Sequence, residues 1–255
     1  MPRIVTCYKW VLDEADIKIN ADLSVDTARA KRKIGDYDRN TIEAAVRVAR
    51  ETKRQVVGLT FGTEKCKQSL KEALARGLDE AYWISYEGAD GADAKFTAKV
   101  LAAAINKIED VDLVLCTDGS SDVFARQTAS RIAAVLDWPI ITAVCKLVID
   151  GDTATVLRRT DSFMEVFKVQ LPTVISVLPE INPAPLPGLS AIIGAAKKPS
   201  TELKADELDV SAETNISTNG IIGYAMNRKN ILFSKGQTAD RVKELVMALR
   251  KEGVL

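Results

Sequence analysis

The sequence predicts an α/β protein: a parallel sheet with helices on both faces, a small antiparallel addition and an extended C-terminal arm. Three observations lead there. Short apolar runs alternate with helical stripes from Arg3 to about Val144. The runs are continuously apolar rather than alternating, as in strands covered on both faces. The rhythm then breaks, first at a hairpin-type turn and then at a cluster of prolines.

RIVTCYKWV reads as the first strand. Ile42, Ala45, Val46 and Ala49 recur at helical spacing and predict a helix over about 38–53. QVVGLTFG is a second strand, and CKQSLKEALARG a helix that Gly77 ends as the C′ residue. EAYWIS is a third strand; Phe96, Val100, Ala104 and Ile108 stripe the next helix; VDLVLC is a fourth strand. Ala125, Ala129, Ile132, Ala133 and Leu136 stripe a further helix, and PIITAV is a fifth strand. CKLVIDGDTATVLRRT then reads as two strands joined at Asp150-Gly151-Asp152, and MEVFKVQLPTVISVL adds more strand.

Five of the eight prolines lie between Pro179 and Pro199, in PEINPAPLPGLSAIIGAAKKP. Such density opposes regular helix and central strand. A plain linker is one reading. Leu186, Leu189, Ile192 and Ile193 favour another, a stiff loop that displays apolar residues for packing. Residues 200–237 are polar and weakly patterned. The C-terminal stretch is an amphipathic helix with Thr238 as N-cap, a stripe of Val242, Leu245, Val246 and Leu249, and Gly253 after the last turn. The expected division is a domain over 1–199, including the proline-rich loop at about 179–199, and a C-terminal arm over 200–255.

Composition removes several functions. Among 255 residues, 35 Lys+Arg balance 35 Asp+Glu, so no overall field draws nucleic acid or an acidic membrane. No apolar run approaches the roughly 20 residues of a membrane-spanning helix, so no membrane insertion is expected. The first residues run straight into strand and acids, without a signal-peptide core. Cys7, Cys66, Cys116 and Cys145 are scattered without a CxxC spacing. That pattern fits buried thiols in a reducing compartment, and a cytoplasmic protein without a zinc or iron–sulfur site is expected. There is no histidine. Its absence removes the usual serine and cysteine triads, the commonest transition-metal ligand and the commonest neutral-pH base. Binding, or chemistry carried by a cofactor, becomes the better expectation.

Open parallel sheets bind ligands beyond the carboxyl ends of their strands. Cys7-Tyr8-Lys9, Thr60-Phe61-Gly62 and Thr117 to Gln127 are the segments expected there. No GxGxxG and no P-loop is present. TDGSSDVFARQT, Thr117 to Thr128, feeds a helix whose N-terminus suits a phosphate. The alternative is an ordinary turn capped by Asp122 or Ser121. Asp118 and Asp122 oppose a phosphate unless their carboxylates turn away. Asp38 reads as the cap of the first helix, and Arg158-Arg159 as a solvated face.

Several of these stretches together resemble the beta subunit of electron transfer flavoproteins, of the Fix-type branch. They are VTCYKWVLDEADIKI, DYDRNTIEAAVRV, FGTEKC, ALARGLDEAYWIS, the Thr117 stretch down to LDWP, KVQLPTVISV and above all PEINPAPLPGLSAIIGAAKKP. The resemblance implies a Rossmann-like domain in a heterodimer with an alpha subunit that carries the electron-transferring FAD. It implies AMP in this subunit, or a second FAD if the protein is electron-bifurcating and oxidises NADH. The C-terminal arm would wrap the alpha subunit. The proline-rich segment would dock on acyl-CoA-type dehydrogenases, with Leu189 as anchor, and electrons would pass to a quinone-reductase-type or ferredoxin-linked acceptor. The nucleotide would contact Cys7, Lys9, Asp36, Asp38, Thr60, Phe61 and Gly62. The phosphates would meet the loop of Asp122, Val123, Phe124, Ala125, Arg126, Gln127 and Thr128. That loop departs from the D-G-D-T-A-Q-V-G pattern of ordinary members: the first Asp and the Gln remain, and Arg126 is an additional cation. Gly35-Asp36 replace an Asn-Pro common before the first helix. No acid–base residue is implied, because the isoalloxazine supplies the redox chemistry. A stand-alone adenine-nucleotide-binding regulatory domain is the competing expectation from another class.

Overall fold

The computed structural model describes residues 1–211, 214–224 and 228–255. The expected arm therefore includes five residues, 212–213 and 225–227, that lie outside the described ones. The first strand, β1 (Arg3–Cys7), is followed by β2 (Trp10–Leu12), β3 (Lys18–Ile19), β4 (Val25–Asp26) and β5 (Arg32–Ile34). Then come α1 (Asp36–Thr52), β6 (Gln55–Gly62), α2 (Lys67–Ala75), β7 (Glu80–Ser85), α3 (Ala94–Lys107), β8 (Val111–Thr117) and α4 (Thr128–Leu136). The chain continues through β9 (Ile140–Asp150), β10 (Thr153–Arg159), β11 (Met164–Gln170), β12 (Thr173–Val177), α5 (Leu189–Ala195), β13 (Ser200–Lys204) and α6 (Thr238–Lys251).

These elements form two units. The larger comprises Met1–Lys18 and Asp26–Ile221. Its nine-stranded sheet has the order β11-β10-β9-β12-β8-β1-β6-β7-β13. Seven strands, from β9 to β13 in that order, run parallel. β10 and β11 are the antiparallel addition, joined to β9 through Gly151 at φ 56°. The expected α/β architecture is therefore present. Two details go beyond the sequence reading: β12 returns to the sheet interior between β9 and β8, and β13 adds an edge within the tract read as weakly patterned.

Apolar strand residues face both ways because helices cover both faces. Ile4, Val56, Leu113, Leu115 and Ile175 pack under α1, α2 and α5. Val5, Val57, Leu59, Val114 and Val174 pack under α3 and α4. The chain runs β1, β6, β7 to one side, then returns to place β8 on the other side of β1. That reversal is the topological switch point, where open parallel sheets of this kind leave a crevice at the carboxyl ends of their strands.

Three local expectations need correction. α1 starts at Asp36 with Gly35 at the N-cap position, so Asp38 is no cap but lies buried in the first turn. The proline-rich segment does contain regular helix: between Pro187 and Pro199, Leu189–Ala195 forms α5, which buries Ala195 and packs on α2. Proline restricts the residue before it and its own turn, not residues that follow. α6 begins at Thr238 with Gln237 at the cap position, one residue before the expected cap. Gly77 follows α2 at φ 114°, as a C′ glycine does.

The smaller unit comprises Ile19–Val25 and Ile222–Leu255. Ser24 bridges to Ile222, and the Gly223 amide donates to the Leu23 carbonyl at 2.7 Å. α6 buries none of its residues, and Val242, Leu245 and Met247 are exposed. Among the described residues no helix is long and apolar enough to cross a membrane.

Candidate functional site

At the carboxyl end of β1 the chain passes Cys7 and Tyr8 and reaches Lys9. Cys7 is buried beside Cys116 of β8. The Cys7 hydrogen bond, and then burial, push the Cys116 thiol well above its ordinary pKa. Both sulfurs therefore belong to the core. Lys9 extends into the crevice, with its Nζ 2.7 Å from an Asp122 carboxylate oxygen. Burial opposes the charge on Asp122, but the Lys9 ammonium, the Ser120 hydroxyl and the Val123 amide together hold its carboxyl below the ordinary value.

α1 forms the floor. Asp36, its first residue, accepts from Lys33 Nζ at 3.1 Å and Arg39 Nη1 at 2.9 Å. Asp36 is thereby committed to ion pairs within the chain. Asp38 is buried, and desolvation pushes its carboxyl up to about 8, although the Lys9 backbone amide pulls the other way. Its Oδ2 has no hydrogen-bond partner. A Cβ on residue 35 would lie 2.3 Å from that oxygen and 3.4 Å from Ser121 Oγ, so only glycine lets this turn approach so closely.

Thr60 ends up buried near the end of β6, and its Oγ1 also lacks a partner. Phe61 stacks on Tyr86 with centroids 6.1 Å apart and meets Phe96 edge-on at 6.0 Å. The Gly62 carbonyl accepts from Trp83 Nε1 at 3.2 Å, and a Cβ on Gly62 would collide with Cys66 Sγ. This turn is a packed apolar wall.

The opposite wall is the loop after β8. The capping alternative is overturned: α4 starts at Thr128, Gln127 occupies its cap position, and no side chain caps it. Asp122 instead accepts from the Val123 amide at 2.8 Å, and the Phe124 amide donates to the Ser120 carbonyl at 3.1 Å. Two of the loop amides are thus spent internally. Gln127 Oε1 accepts from Arg131 Nε and Nη2 at 3.2 and 3.0 Å. Phe124 and Arg126 have φ of 50° and 55°, two left-handed non-glycine residues in three positions. Such strain persists only where surroundings hold it. Here Phe124 meets Tyr37 edge-on at 6.0 Å and lies against Gly119, where a Cβ would come within 2.6 Å of the ring. Val123 and Ala125 are exposed at the rim.

The residue whose role the sequence did not reveal is Asp118, which read only as an acid opposed to a phosphate. It is buried and accepts from Ser176 Oγ at 2.7 Å and from the Ala143 amide at 3.2 Å. Ala143, at φ 57°, sits where the β12–β9 register slips, which turns its N–H out of the ladder. The other Asp118 oxygen accepts from Arg126 Nε at 2.5 Å. The sequence placed this acid at the end of an apolar strand, in the loop expected at the site, but showed none of these partners.

Lys9, Asp38 and the loop from Asp118 to Gln127 thus meet at the switch point, with Thr60 to Gly62 at the end of the neighbouring strand. Asp36 points its charge into the Lys33–Arg39 set. Leu189 stands in the proline-rich segment at the start of α5, 73% exposed. Arg158 and Arg159 pair with Glu165 and Glu180 at 3.4 and 2.7 Å.

A family model described as the electron transfer flavoprotein domain matches residues 22–208, which include α1, the loop after β8 and the proline-rich segment. With that match over most of its length, the chain belongs to the electron transfer flavoprotein domain family.

Proposed function

We propose that the chain is the beta subunit of an electron transfer flavoprotein of the Fix-type branch, and that the switch-point crevice holds the adenosine phosphate portion of a nucleotide. The observation that carries this reading is the convergence of Lys9, the uncapped start of α4 and the strained loop before it at one sheet crevice. The residues suit such a ligand. The α4 N-terminus offers amides without a side-chain cap. Arg126 and Lys9 supply charge, and the orphaned oxygens of Asp38 and Thr60 are polar atoms for a ribose, base or water to satisfy.

A flavin, when bound by the heterodimer, supplies the redox chemistry. This chain binds and orients. The loop of Asp122 to Thr128 meets the phosphate, the Phe61 wall excludes water from one side, and Asp38 stays uncharged below about pH 8, so it does not repel the phosphate. α6, with no buried residue, and the exposed Leu186 and Leu189 are faces suited to partners: an FAD-carrying alpha subunit for the arm, and an acyl-CoA-type dehydrogenase for the proline-rich segment. Such dehydrogenase encounters are small and transient. A cytoplasmic location is part of this reading.

The test is to co-express the chain with its cognate larger flavoprotein subunit, purify the complex, denature it and quantify released FAD and AMP. One FAD and one AMP per heterodimer is the expected result and describes a one-branch carrier. Two FAD without AMP would place a second flavin here and make the protein bifurcating. A stable monomer that releases neither would overturn the reading in favour of an unrelated regulatory domain.

A further inference from the structure

We infer that Asp118 is a positioning residue: anchored by Ser176 and the Ala143 amide, it tethers Arg126 by Nε so that the two Nη groups form a fork for the nucleotide phosphate. This rests on the function proposed above and adds to it a residue whose place in the loop read as unfavourable to a phosphate.

Asp118 is held from three directions. Ser176 Oγ and the Ala143 N–H, both from strands of the sheet, bond Oδ1 at 2.7 and 3.2 Å. Oδ2 takes Arg126 Nε at 2.5 Å. The carboxylate is nearly inaccessible, at 5%, whereas the arginine side chain is 52% exposed. A buried carboxylate needs a partner, and Arg126 is its only cationic one among the described residues. The arginine does not need the whole of its guanidinium for that. Among the described residues neither Nη1 nor Nη2 of Arg126 has a protein acceptor. Those two atoms carry four N–H groups in one plane, the arrangement that takes two oxygens of one phosphate. The Phe124 ring lies 5.9 Å from the guanidinium carbon and limits its swing. The left-handed backbone at Arg126 and Phe124 is what turns both side chains back over the loop.

Asp122, the other acid of the loop, is paired with Lys9 at 2.7 Å. Lys9 and Arg126 therefore each carry one carboxylate, and neither acid is left free to repel a ligand. A carboxylate next to a phosphate is ordinarily a penalty. Here its orienting role outweighs its charge, and that ordering is what an experiment can read.

The full chain, cleared of bound nucleotide by dialysis at high salt, is titrated with AMP and with adenosine. Asp118→Asn is expected to weaken AMP binding about tenfold, the worth of one charge-assisted contact, and to leave adenosine unchanged. Arg126→Gln gives the same loss, and the double variant loses no more than Arg126→Gln alone. Tighter AMP binding in Asp118→Asn would overturn the inference, because removal of a repelling charge would then be the larger effect. So would losses that add in the double variant. Arg126→Lys keeps the charge but loses both the Nε tether and the fork. It is expected to behave as Arg126→Gln does, and wild-type affinity in it overturns the inference even if Asp118→Asn fails to fold. A wild-type chain that binds neither AMP nor FAD would instead sink the proposed function. Titration with FAD separates a free monophosphate from the same group within a dinucleotide.

Discussion

On the β6 side of the crevice, Phe61, Tyr86 and Phe96 stack and meet edge-on within 6.1 Å, and Trp83 locks the turn by its bond to Gly62. On the β8 side, the loop from Asp118 to Gln127 has almost no apolar core. Two ion pairs hold it, against the strain of two left-handed residues. One wall is rigid because close packing leaves no other arrangement. The other is shaped by polar contacts whose net worth is small but whose directions are definite.

The largest effect should come from the packed wall. Phe96 is almost fully buried against Phe61 and Tyr86, and Phe96→Ala should cost about 3–5 kcal/mol in chemical denaturation. A loss below 1 kcal/mol, on the order of a surface change, would mean that the aromatic wall does not hold this side.

Asp38, on the floor between the walls, should give the next largest effect, and one that depends on pH. Its folded carboxyl titrates near 8, above the ordinary value of 3.8. Between those values the unfolded chain has lost the proton while the folded chain keeps it, so stability falls as pH rises. Asp38→Asn has no such titration. Its stability relative to wild type should grow steadily from about pH 4 to about pH 8 and then level off. Parallel melting curves across that range would show that burial does not hold the proton there.

The polar wall should respond less in stability and more in binding. Lys9 and Asp122 are both partly exposed, so Lys9→Gln should cost under about 1 kcal/mol in thermal melting. AMP affinity in the same variant should drop severalfold. A large stability loss with unchanged affinity would reverse the roles given to the two walls. The smallest stability effect belongs outside the crevice. Leu189→Ala should stay within about 0.5 kcal/mol of wild type and keep normal flavin content. It should nonetheless slow reduction by a dehydrogenase, and an unchanged rate would remove the docking role.

The sequence by itself determined the parallel sheet, the helix stripes and the end of α2 at Gly77, because apolar runs and 3.6-residue periodicity are local consequences of burial on two faces. It also pointed to the loop after β8, because topology alone sends that loop to the carboxyl end. Only the tertiary structure decided what each acid in the crevice does. Asp38 read as a cap, and burial holds its carboxyl up near 8; Asp122 read as part of a phosphate loop or, alternatively, as a cap, and it pairs with Lys9. Asp118 read as an obstacle and is anchored by Ser176, 58 residues further along the chain, and by the amide that a slipped register frees at Ala143. A carboxylate's role depends on which donors reach it and how little water does. Both are set by strands distant in sequence, so no local pattern could have recorded them.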